Sequence, residues 1–115
     1  MKRWLKSFRH AWDGIVFLFR TERNAQIEGI IGLLTIALGL ILGIEKWEWF
    51  VIAMCSITVL SLEALNTAFE KILDRLHPER HPDIGLAKDL LAGAVLIASV
   101  ISAIVGIAIF YPYLF

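Results

Sequence analysis

The sequence predicts an all-α membrane protein: three transmembrane helices preceded by an N-terminal amphipathic helix lying in the membrane interface. Two observations predict it. Of the 115 residues, 58% are hydrophobic and 19% are charged, and the mean hydropathy is +0.72. A soluble domain is apolar over about half its residues and carries about a quarter charged ones. The apolar residues also gather into three long runs, which leave too little polar surface for a water-soluble fold of this size. The length fits a single domain, 1–115. The formal net charge is zero, so the total says nothing about nucleic acid and the distribution of charge says more; no nucleic-acid partner is expected. Cys55 is the sole cysteine and forms no intrachain disulfide.

The first element is expected over 1–21. Trp4, Leu5, Phe8, Ala11, Trp12, Ile15 and Phe19 recur at three- and four-residue spacing, with Lys2, Lys6, Arg9 and Asp13 on other faces. Basic residues opposite an aromatic face suit a helix in the headgroup region; packing against other protein helices is the alternative. The segment is basic throughout and lacks a small-residue cleavage site, so it reads as a helix rather than a signal peptide.

The spans are expected at 29–44, 49–70 and 90–112. About 20 apolar residues cross a bilayer; the third run meets this alone, and the first two are shorter. The tight "EKWEW" link makes the first two spans antiparallel neighbours, and Trp47 and Trp49 suit the headgroup level. Small residues such as Gly32, Gly39 and Gly93 allow close helix contact. Pro78 and Pro82 are expected to end the second span's helix. Lys and Arg concentrate before the first span and between the second and third. By the positive-inside rule, the N-terminus and the 71–89 loop face the cytoplasm and the C-terminus faces out.

Polar residues then need a reason. In "SLEALNTAFEKILDRL", Glu63, Asn66, Thr67, Glu70 and Asp74 stand at i, i+3, i+4, i+7 and i+11. That spacing stacks them on one helix face. A carboxylate toward the membrane core is costly and is by default a functional residue. "TERNAQIEG" supplies Glu22, Asn24, Gln26 and Glu28 at the same membrane face, and "HPERHPDIGLAKD" supplies Lys88 and Asp89. Lys88 and Asp89 are expected beside a fresh helix N-terminus, whose free N–H groups attract phosphate. Paired carboxylates with cations suit Mg²⁺ and a polyphosphate. His10, His77 and His81 lack a zinc-ligand pattern. No Walker P-loop and no kinase glycine loop is present.

The run "EALNTAFEKILD", Glu63 to Asp74, followed by "AKD" and "AGAVL", resembles the bacterial integral-membrane diacylglycerol kinase family, which includes undecaprenol kinases. The similarity covers nearly the whole chain, the glutamate of "ERN" included. It implies ATP-dependent phosphorylation of a lipid hydroxyl in the bacterial cytoplasmic (inner) membrane, by a homotrimer whose active sites are shared between subunits. By position, Glu63 would be the general base on the lipid hydroxyl. Glu22 and Glu70 would hold Mg²⁺ against ATP. Lys88 and Asp89 would contact the phosphates, with Asn66 and Asp74 in support. Glu79 and His81 match the family's nucleotide-side loop, and Arg3 a basic residue of its surface helix. His10 stands where diacylglycerol-specific members have a tyrosine, and Arg80 replaces an aromatic. "AGAVL" and "NTAFE" are similar to the undecaprenol kinase branch, and both lipids stay open. The competing expectation is a non-enzymatic ion- or proton-conducting bundle with Glu63 as its titrating group. A proton path would not require Glu22, Glu70, Lys88 and Asp89.

Overall fold

The computed structural model describes residues 2–115. The described residues form four helices and no strand: α1 (Lys2–Thr21), α2 (Arg23–Leu42), α3 (Lys46–Leu76) and α4 (Pro82–Leu114). Helices α2, α3 and α4 are each long and apolar enough to cross a membrane. They are longer than the apolar runs because polar flanking residues continue the same helices. At 1.5 Å per residue, α3 measures about 46 Å against a hydrocarbon core of about 30 Å. Its polar final turns therefore have room to project beyond the lipid.

Local chemistry explains each break. Glu22 is extended (φ −96°, ψ 116°) between α1 and α2, yet its N–H still donates to the Leu18 carbonyl at 2.9 Å. The chain thus turns a corner at Glu22 with few backbone groups unsatisfied. Gly43 ends α2 in the left-handed region (φ 65°) and donates to the Gly39 carbonyl at 2.9 Å, the conformation that glycine adopts without a Cβ penalty. Trp47 and Trp49 then lie in the first turn of α3 rather than in a loop. The Glu45 N–H donates to the Glu48 carboxylate at 2.9 Å and caps that turn.

The second corner differs from expectation. Helix α3 stops at Leu76, ahead of Pro78, but Pro82 starts α4 rather than ending α3. A proline fits the first helical position, where its missing N–H would have no partner. The N-cap is His81, whose Nδ1 accepts from the Asp83 N–H at 3.1 Å. Lys88 and Asp89 consequently sit in the second turn of α4, not at its N-terminus. The phosphate-binding helix end expected there is corrected by about two turns.

Helix α3 is central, packed against α2 on one side and α4 on the other, with α1 across the α2–α3 end. The slab measures 52 × 43 × 20 Å. Its apolar core is small: Ile44, Ile52, Ile109 and Phe110 cluster near the α2–α3 turn. Most large apolar side chains are exposed, as expected where the surroundings are hydrocarbon and burial brings no gain.

Candidate functional site

The opposite end of the bundle, where α1, α2 and α3 meet, gathers the polar residues. Glu63 is 3% exposed and Thr67 is buried. Asn66 is half-buried one turn on from Glu63, and its amide donates to the Glu70 carboxylate at 3.4 Å. The corner at Glu22 brings the first turns of α2 over this face. The carboxyl group of Glu63 thereby acquires the side chains of Glu22, Glu28 and Glu70 as its charged neighbours, with the Asn24 amide beside it.

The electrostatics of this cluster are unbalanced. Among the described residues the ion pair between side chains is Lys88–Asp74; His81 stands 3.9 Å from Asp83. None of the four clustered glutamates takes part in one. Two buried side-chain oxygens on the same face, Asn66 Oδ1 and Thr67 Oγ1, have no hydrogen-bond partner. A buried carboxylate, here Glu63, and an orphaned amide oxygen are costly in isolation. They form an oxygen donor set of the kind that hard cations take.

That donor set fits magnesium in one specific way. Among the described residues, no group of three or more His, Cys, Asp or Glu side chains closes on a single point as a metal cage. Mg²⁺ does not require one: it is typically held by one or two carboxylates, with water and substrate phosphates completing the shell. Glu22, from the link between α1 and α2, and Glu70, from α3, are both charged neighbours of Glu63.

The remaining expected residues fall into two groups. Lys88 is drawn to the site's rim by its ion pair with Asp74, which joins α4 to the end of α3. Asp89 is exposed beside it. Glu79 lies exposed in the link between α3 and α4, and His81 caps α4. Arg3 is not brought to the site of its own chain. It lies 19 residues before Glu22, about 28 Å away along α1. Asn24 and Glu28 belong to the cluster although the α3 motif does not include them. Their signal was the density of polar residues just before an apolar span.

Glu28 also stands at one end of a groove of about 500 Å³ between α2, α3 and α4. The groove is lined by Gly32, Thr35, Val59, Ser99 and Phe110 among others, and reaches Phe115 at the far end of α4. The acidic cluster and this largely apolar groove therefore adjoin.

Comparison with known proteins gives a consistent result. The family described as "Prokaryotic diacylglycerol kinase" matches residues 9–110. An undecaprenol kinase of Bacillus subtilis (strain 168) is 40% identical over 114 residues, 99% of this chain and 93% of that protein. A diacylglycerol kinase of Synechocystis sp. is 38% identical over 94% of this chain, which spans 62% of that longer protein. A diacylglycerol kinase of Escherichia coli (strain K12) is 29% identical over 89% of this chain and 84% of that protein.

Proposed function

From the premise that the chain belongs to the prokaryotic diacylglycerol kinase family and is a lipid kinase, we propose how its residues carry out the transfer. Lipid alcohol arrives from the bilayer and ATP from water. Glu63, buried where α3 leaves the apolar region, accepts the proton of the lipid hydroxyl. The freed oxygen attacks the γ-phosphorus of ATP, the bond to the β–γ bridging oxygen breaks, and ADP leaves. Phosphoryl transfer depends chiefly on positioning and charge stabilisation.

Glu22 and Glu70 hold Mg²⁺, which supplies neutralisation of the phosphate charge. Asn66 orients Glu70 through the amide contact, and Asp74 orients Lys88 toward the phosphates. Asp89, Glu79 and His81 lie on the nucleotide side. The observation that carries this reading is the buried Glu63 at the junction of an unneutralised acidic cluster and an apolar groove. One end asks for a cation and the other accommodates a lipid tail.

The bilayer placement belongs to the same reading. Helix α1 is amphipathic, with Trp4, Phe8 and Trp12 exposed on one face and its basic residues elsewhere, and lies in the cytoplasmic interface of the inner membrane. The N-terminus is cytoplasmic and the C-terminus is outside, which puts the acidic cluster on the side that holds ATP. The working unit is a homotrimer. The "AGAVL" and "NTAFE" segments lean toward a polyprenol acceptor over diacylglycerol.

The test is phosphate transfer from radiolabelled ATP in membranes containing the protein, with undecaprenol and diacylglycerol offered side by side. Labelled undecaprenyl phosphate or phosphatidic acid is expected. No label on any long-chain alcohol with Mg²⁺ present would overturn the assignment.

A further inference from the structure

We propose that Gln26 is a positioning residue for Glu22, setting where that carboxylate stands in the acidic cluster. Glu22 is the single extended residue between α1 and α2. A lone extended residue between two rigid helices is a hinge, and Glu22 works only if the hinge is held at one angle.

The Gln26 side chain bridges it, on top of the ordinary first hydrogen bond of α2. Its main-chain N–H donates to the Glu22 carbonyl at 3.1 Å. Its side-chain amide reaches back and donates to the Phe19 carbonyl at 3.0 Å and the Arg20 carbonyl at 3.3 Å. The last carbonyls of a helix have no intrahelical partner, so one side chain of α2 satisfies two orphan acceptors of α1 and fixes the angle between the helices. Packing reinforces the same corner. A Cβ on Gly29 would stand 3.3 Å from the Phe19 ring, Ala25 is fully buried, and the Lys71 ammonium lies 4.8 Å above the Phe17 ring. Helix α1 is thereby tied to α2 and α3 on both flanks of Glu22. Gln26 is itself exposed and carries no charge, so its part is geometric. This inference rests on the assignment of Glu22 to the nucleotide's metal.

The test combines kinetics with limited trypsin digestion of the intact membrane-embedded protein. Arg20 and Arg23 flank the hinge, and Arg75 and Arg80 serve as remote cleavage sites. Gln26→Leu and the equally sized, polar Gln26→Glu both remove the donor. Each is expected to raise the KM for ATP about tenfold, the scale of one net hydrogen bond, with the KM for lipid unchanged. Cleavage at Arg20 and Arg23 should accelerate severalfold, because proteolysis follows the population of the locally opened state, while cleavage at Arg75 and Arg80 stays at the wild-type rate. Gln26→His, whose ring N–H can still donate to helix-end carbonyls and which adds no trypsin site, should restore both readouts.

Unchanged ATP KM, unchanged corner cleavage, equal acceleration at all four arginines, or failure of the histidine variant to rescue would each overturn the proposal. If the wild-type protein transfers no phosphate to lipid, the lipid-kinase assignment fails instead, and the digestion pattern still decides whether Gln26 holds the corner.

Discussion

A carboxylate only 3% exposed and surrounded by three others is expensive unless something cationic or proton-bearing occupies the space between them. That cost separates the roles of the acids on α3. Glu63 and Glu70 lie seven residues apart, about 10 Å along the axis, so one can meet the acceptor while the other meets the phosphates. Glu63→Gln keeps the shape and removes the base; kcat is expected to fall by about 10²- to 10⁴-fold, with the KM for ATP near wild type. Glu70→Gln should instead raise the Mg²⁺ concentration needed for half-maximal rate, read from initial rates against Mg²⁺ at fixed ATP. A loss of ATP affinity in the first variant, or no change in Mg²⁺ demand in the second, would contradict these assignments. The α3 acids were legible in the sequence because helical periodicity alone puts Glu63, Asn66, Glu70 and Asp74 on one face. Asn24 and Glu28 carried no such mark, because their place in the cluster depends on a corner at Glu22 that propensity does not specify.

At the scale of elements, the far end of the bundle fixes the helices that the site depends on. Gly39 is buried where α2 meets α3, and a Cβ there would lie 2.6 Å from Trp49 Cη2 and 3.1 Å from Ile44 Cδ1. The indole is rigid and cannot retreat without moving its helix. Gly39→Ala is therefore expected to destabilise by about 1 kcal/mol net, overpacking outweighing the better helix propensity of alanine, as measured by denaturation in detergent micelles. Nearby, the Tyr113 hydroxyl donates to the buried Glu48 carboxylate, joining the end of α4 to the first turn of α3. Tyr113→Phe removes that tie and should lower the thermal midpoint by a few degrees while leaving the KM for ATP unchanged, since Glu48 and Glu63 are about 22 Å apart along α3. The existence of these helices was legible from hydropathy, and their limits were not. Pro82 reads as a stop and is a start, because a proline signals a break in the chain without saying on which side the helix lies.

For the whole molecule, the decisive quantity is how little of it is buried. Among the described residues seven apolar side chains are buried, from Leu18 to Phe110, and most of the other large apolar residues are exposed. Hydrocarbon surroundings suit such a surface. Arg3 is a different matter: along α1 it stands about 28 Å from Glu22 of its own chain. If it serves a nucleotide site, that site belongs to a neighbour, which is what a ring of three copies with shared sites allows. Subunit mixing tests this. Arg3→Ala and Glu63→Gln are each expected to be impaired alone. When the two are co-assembled in equal amounts, a site drawing Arg3 from one copy and Glu63 from the next has both intact in roughly one case in four. Activity should then rise to about a quarter of wild type, above the sum of the parents. If both residues serve the same chain's site, every copy lacks one of them, and mixing yields no gain. The absence of recovery in verified mixed oligomers would assign the site to a single chain and leave Arg3 outside it.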